Sequence, residues 1–162
     1  GAPLRTLAGA TDRPGRLVPA LGGPDGAWDN VSAQGWGQVF GVRGIRWTLH
    51  GDGRIELILA DAFAGPVEAR AMAEQVGTSG IVPGRWTVAG EQRIAIRKLN
   101  TTGLTSHGRE PGTTYALPAT GMGQVLQALQ EGSWAWRLAG DELLLTGTMM
   151  GGPLEMRFRR AP

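Results

Sequence analysis

His50 and His107 are the only histidines in a chain without cysteine, so they alone carry side chains whose unshifted titration falls near neutral pH. Acid–base, nucleophilic or metal chemistry would have to be assembled around them. His50 lies two residues before Asp52 in a Gly-rich stretch that reads as a turn, which favours a solvated turn residue over a general base. His107 adjoins Ser106, but a nucleophile and its base must converge in space, and adjacency along the chain does not supply that. The sequence contains no Gly-x-Ser-x-Gly elbow, phosphate-binding glycine loop or dinucleotide fingerprint. Two histidines without a thiolate fall short of a zinc donor set. Glu68 and Glu155 recur in similar contexts, each two residues before an arginine, and ion pairs on the outer face of neighbouring strands explain them better than an acid/base pair. The expectation is no catalytic residue, no metal and no cofactor.

The aromatic residues are the other candidates. Six Trp stand beside one Tyr and three Phe, an unusual ratio. Trp47, Trp86 and Trp136 hold one repeated position and are most simply core. Trp28 and Trp36 lie outside it in a Gly-rich stretch. If exposed there, they would line a ligand mouth or meet a partner, whereas core packing is the simpler reading. With His107 and Tyr115 from a polar loop, Trp28 and Trp36 complete the set of residues expected to contact a ligand or partner. Arginines stud the outward strand positions (Arg70, Arg85, Arg93, Arg97, Arg137, Arg157 and Arg159). The aromatics fall on the opposite face, which breaks the combination that binds single-stranded nucleic acid and predicts no nucleic-acid partner.

The elements that position these residues follow from spacing. Trp47–Asp52, Trp86–Glu91 and Trp136–Asp141 each run Trp, Leu or Val two residues on, Gly four on and an acid five on, with Ile55, Ile94 or Leu144 eight on. Residues at i and i+2 share a strand face, and Gly with an acid allows a reversal, so three β-hairpins are predicted. Pro66–Met72 has helix-forming composition, yet Pro153–Phe158 repeats its pattern in a strand-like alternation. Both are therefore read as strands, with Val67, Ala69 and Ala71 facing inward. Met122, Val125, Leu126 and Leu129 fall at helical spacing, with Thr120 and Gly132 as caps, and predict one amphipathic helix over about 121–131. It would lie over an open barrel end or one sheet face. Residues 100–119 read as a polar loop, and residues 1–26 as a turn-rich segment ahead of a single domain at 27–162.

Composition sets the frame. At 162 residues, 41% apolar and a net charge of +2, the chain can bury a core, and nothing in it resembles a charged nucleic-acid arm. Its 27 Gly and 10 Pro suit many short strands joined by tight turns. No apolar run is long enough for a membrane-spanning helix. The start, Gly1-Ala2-Pro3-Leu4, lacks an initiating Met, which fits removal of a signal or anchor upstream; any membrane association would run through such a segment.

Two resemblances bear on function. Gly77-Thr78-Ser79-Gly80 followed by Gly84-Arg85-Trp86-Thr87-Val88-Ala89-Gly90 resembles the Gly-x-x-Gly-Cys-Asn segment and following strand of the META-domain (HslJ-type) envelope proteins, with Ile81 and Val82 in place of Cys-Asn. Gly26-x-Trp28 with Arg46-Trp47-Thr48-Leu49 is similar to a pattern in the periplasmic part of the type II secretion protein N family. Both resemblances imply a non-enzymatic role in a Gram-negative envelope, periplasmic or associated with the outer membrane. The expected fold is mainly β, an antiparallel meander of about eight strands rolled into a barrel-like or partly open structure, with one helix. The expected function is a binding or protein-interaction module. The alternatives are a carrier of a small apolar ligand, a component of an envelope secretion assembly and, last, a hydrolase using residues 100–119. A long exposed edge strand would favour a protein partner, and a closed barrel with an apolar cavity would favour the carrier.

Overall fold

A computed structural model describes residues 23–35, 37–66, 76–108, 114–115, 121–149 and 151–162. Its strands are β1 (Gly26–Gly35), β2 (Gln38–Leu49), β3 (Arg54–Pro66), β4 (Val76–Gly90), β5 (Arg93–Arg97), β6 (Thr105–Gly108), β7 (Thr114–Tyr115), β8 (Trp134–Ala139), β9 (Glu142–Met149) and β10 (Gly152–Arg160). One helix, α1 (Gly121–Ala128), precedes β8. The three repeated hairpins are present as β2–β3, β4–β5 and β8–β9, each reversing at its Gly-acid step. In the first, the Gly53 N–H donates to the His50 carbonyl at 3.0 Å, and Gly53 takes a φ of 96° that a side chain would disfavour.

Eight strands close into a ring in the order β1-β2-β3-β4-β5-β8-β9-β10, every pair antiparallel, with β10 returning to β1. The barrel is therefore closed, and all three repeated turns project from the same end. β4 is 15 residues long and β5 only five, so β5 covers Arg85–Gly90 and leaves Val76–Ser79 for β6. β6 and β7 thus replace part of the loop expected at 100–119. Their Thr- and Ser-rich sequence alternates too weakly to announce a strand; the free edge of β4 recruits it.

The ring is thinnest where β5 meets β8, which pair only through Arg93↔Ala135 and Ile94↔Trp134. Hydrogen bonds to the segment entering β8 stitch this seam. Arg93 Nε donates to Ser133 Oγ at 2.9 Å, an Arg97 guanidinium nitrogen donates to the Gly132 carbonyl at 3.1 Å, and the Leu99 N–H donates to Gln130 Oε1 at 3.0 Å.

Two expectations need correction. The helix ends at Ala128, with Leu129 and Gln130 in a turn, rather than running to 131. The three repeated tryptophans are not equivalent: Trp47 is 2% exposed, whereas Trp86 and Trp136 only pack against the margin of the core, and Val88 is 53% exposed. The tip of the β4–β5 hairpin extends beyond the packed interior, so alternation there no longer means burial. Trp134, outside the repeat, is fully buried instead, donating its indole N–H to the Leu129 carbonyl at 3.0 Å. The repeat of Pro66–Met72 in Pro153–Phe158 holds for the second copy, which is β10; residues 67–75 lie outside the described residues.

Candidate functional site

Toward the end that carries the three hairpin turns, the interior is filled. Trp28, Ile55, Ile94 and Phe158 have no exposed surface, and Phe158 meets Trp47 edge-on with ring centroids 4.9 Å apart. The Trp28 indole N–H donates to the Pro24 carbonyl at 2.9 Å, and the Arg160 guanidinium covers the ring 4.2 Å from its centroid. Trp28 is thus a core residue, closed off from both a ligand mouth and a partner.

Farther along the barrel axis, the inward face changes hands. The pairing of β1 shifts register between Asn30 and Ser32, that of β2 between Arg43 and Ile45, and that of β3 between Leu59 and Ala62. At these shifts the in-out alternation changes phase, so the inward set passes from Trp28 and Asn30 to Ala33 along β1, and from Phe40 and Val42 to Ile45 and Trp47 along β2. Gly44 allows the β2 bulge: it has a φ of 77°, and a Cβ there would meet the Ala60 carbonyl oxygen. On the outer surface beside the β1 bulge, Arg46 clamps Asp29 with Nε–H to Oδ1 at 2.7 Å, which fixes the pairing that precedes the shift.

A partly open cavity of about 150 Å³ spans the level of these bulges. Ala33, Phe40, Val42, Ile45, Trp47, Leu57 and Leu59 line it from β1–β3, and Met149, Leu154 and Met156 from β9 and β10. Val125 and Leu126 of α1, with Leu129 just after it, form the remaining wall. The helix therefore covers a barrel end with its apolar stripe, one of the two placements its pattern allowed. Among the described residues the single polar lining residue is Asn30, 9% exposed. Its amide nitrogen donates to the Arg157 carbonyl at 2.9 Å and to the Ser32 carbonyl at 3.2 Å, replacing strand pairing disturbed by the bulge.

None of the other anticipated contact residues is among the described lining of this cavity. Trp36 lies outside the described residues; the backbones of His107 and Tyr115 are placed on β6 and β7, where Ser106 pairs with Tyr115. The Ser106 hydroxyl is 2% exposed and shares a 2.9 Å hydrogen bond with Thr78, so it is engaged inside the structure. His50 sits at its turn with Nε2 3.0 Å from Glu56 Oε1. Among the described residues no cluster of His, Asp and Glu could hold a metal ion, and no helix is long and apolar enough to cross a membrane. Of the predicted outward arginines, Arg85, Arg93, Arg97, Arg137, Arg157 and Arg159 are exposed; Arg157 pairs with Glu142 at 3.7 Å, and Glu68 and Arg70 lie outside the described residues.

Sequence reasoning missed Asn30 and Ala33. A polar residue two positions after Trp28 signals nothing by itself, and only the bulge brings Ala33 to the same inner face. Compared with family models, curated proteins and solved structures, the chain matches none.

Proposed function

We propose that this protein binds a small apolar ligand inside its barrel, in the cavity between the bulged halves of β1–β3 and helix α1. One observation carries the reading: a partly open space of about 150 Å³ in which every described lining residue except Asn30 is apolar. Apolar cavities of about this volume stay dry and accept ligands the size of benzene, whose burial is favoured by about 25 cal/mol per Å². A small ring or a chain of about six carbons suits the space. Pairing of every barrel strand on both sides favours such a carrier over edge-to-edge capture of a protein strand. The reading is non-enzymatic, and its placement in a bacterial envelope rests on the two sequence resemblances.

The test is thermal unfolding and tryptophan emission with n-hexane and toluene. Both probes should raise Tm by mass action and perturb the Trp47 emission, because Trp47 lines the space. Ala33→Met, which fills the cavity from β1, should abolish both responses while leaving the protein folded. Probe responses that survive the filled variant would place binding elsewhere, and no response in the native protein would remove the reading. A protein-interaction module is the second reading, drawn from Ile58 and Ile81, which face each other across β3 and β4 and are 36% and 52% exposed.

A further inference from the structure

We infer that the cavity selects a neutral ligand carrying a hydrogen-bond donor, an aliphatic hydroxyl or amide N–H, which it binds through the side-chain oxygen of Asn30. The inference rests on the ligand-binding reading above and adds the polar chemistry that reading leaves open.

The orientation of the Asn30 amide is fixed by its surroundings. Two backbone carbonyls, Ser32 and Arg157, lie 3.2 and 2.9 Å from one end of the amide, and carbonyls can only accept. That end is the NH₂ group, and both of its protons are used. The other end is Oδ1, an acceptor, and no described residue donates to it. A side chain nine-tenths buried with an acceptor left over is expensive unless something supplies a proton. Asn30 is also the one polar residue among the described lining, and it stands deep along β1, one inward position beyond the fully buried Trp28. A ligand would therefore enter with its donor group leading and its carbon chain trailing toward Ala33, Val42 and the helix.

The same geometry rejects other head groups. A carboxylate would place its oxygens against Oδ1, and no cation is present among the described lining residues to pair with it. An ammonium ion would be buried without a counter-charge. An aldehyde or ether, which only accepts, leaves Oδ1 unsatisfied. The preference is thus for direction of donation, which apolar burial alone does not produce.

The experiment is calorimetric titration of the native protein with four probes of matched chain length: 1-hexanol, hexanal, 1-fluorohexane and hexanoate at neutral pH. 1-Hexanol should bind about tenfold tighter than hexanal, the worth of one net hydrogen bond. It should also at least equal 1-fluorohexane, even though its hydroxyl is much more costly to remove from water. Hexanoate should bind at least tenfold more weakly than 1-hexanol. If hexanal or 1-fluorohexane binds more tightly than 1-hexanol, the donor preference is wrong while the apolar cavity stands. If none of the three neutral probes binds, the ligand-binding reading falls and this inference with it. Asn30→Leu gives a second arm: the order of 1-hexanol and 1-fluorohexane should reverse, and retention of the alcohol preference would overturn the role of Oδ1. Where that variant does not fold, the native panel still decides.

Discussion

The two ends of the barrel interior are built from the same eight strands and differ in what fills them. Near the hairpin turns, indole and phenyl rings occupy the axis: Trp28 and Phe158 are fully buried, and Trp47 closes on Phe158. At and past the bulges in β1, β2 and β3, the inward positions include Ala33, Phe40, Val42 and Leu59, and a space of about 150 Å³ remains under the helix. A narrow antiparallel barrel is just wide enough to be filled by its side chains. Residue size alone therefore decides whether a given level is solid or hollow. The lesson is that close packing at one end leaves the other free to keep an open space without losing the fold.

Truncation in the two regions is the strongest way to break this comparison. Phe158→Ala and Trp134→Ala should each cost about 3–5 kcal/mol, because they open new cavities in packed surroundings. Val125→Ala, on the cavity wall, should cost about 1 kcal/mol, since its side chain already faces empty space on one side. Denaturant midpoints would report both, and equal losses would mean that the two regions are packed alike.

Added volume should separate the regions in the opposite direction. A Cβ on Gly147 would stand 2.6 Å from the Trp134 ring, so Gly147→Ala should cost about 1–3 kcal/mol. Ala33→Met enters the cavity and should change stability by less than about 1 kcal/mol, or raise it slightly. Thermal midpoints in the absence of ligand would compare the pair. A Gly147→Ala protein as stable as the native one would show that the Trp134 side is looser than its geometry implies.

The smallest effect concerns Asp25, at the roof of the solid end. Burial raises its carboxyl pKa above the usual 3.8, while a backbone hydrogen bond and the Arg160 charge pull the other way. Between the unfolded value and the raised folded one, the native protein holds a proton that the unfolded chain has lost. The contribution of this group to stability therefore falls as pH rises through the window just above 3.8 and stays low at higher pH. Asp25→Asn should raise Tm modestly at neutral pH and leave it unchanged below that window. A variant less stable at neutral pH would show that attraction to Arg160 outweighs burial.

Local chemistry explains which parts of this fold could be read from the chain. The Gly-acid steps after Trp47, Trp86 and Trp136 specify reversals within a few residues, so all three hairpins are legible. Helix α1 announces itself through Val125, Leu126 and Leu129, whose spacing makes one apolar stripe. Burial was less legible: Trp86 and Trp136 repeat the pattern of Trp47, but they stand on hairpins that run past the core. A strand period states which residues share a face and leaves open whether anything packs against that face.

Sequence alone determined the strand-rich composition, the three reversals, the helix and the outward run of arginines, because each depends on neighbours within about ten residues. Tertiary structure decided the closure of β10 onto β1, the recruitment of β6 to the free edge of β4, and the cavity. The cavity depends on bulges in three adjacent strands, and a bulge is a mismatch between two strands rather than a property of either. Ala33 gained its place on the inner wall, beside Asn30, when β1 was paired with β2 and β10, since only the paired strands determine where the extra residue falls.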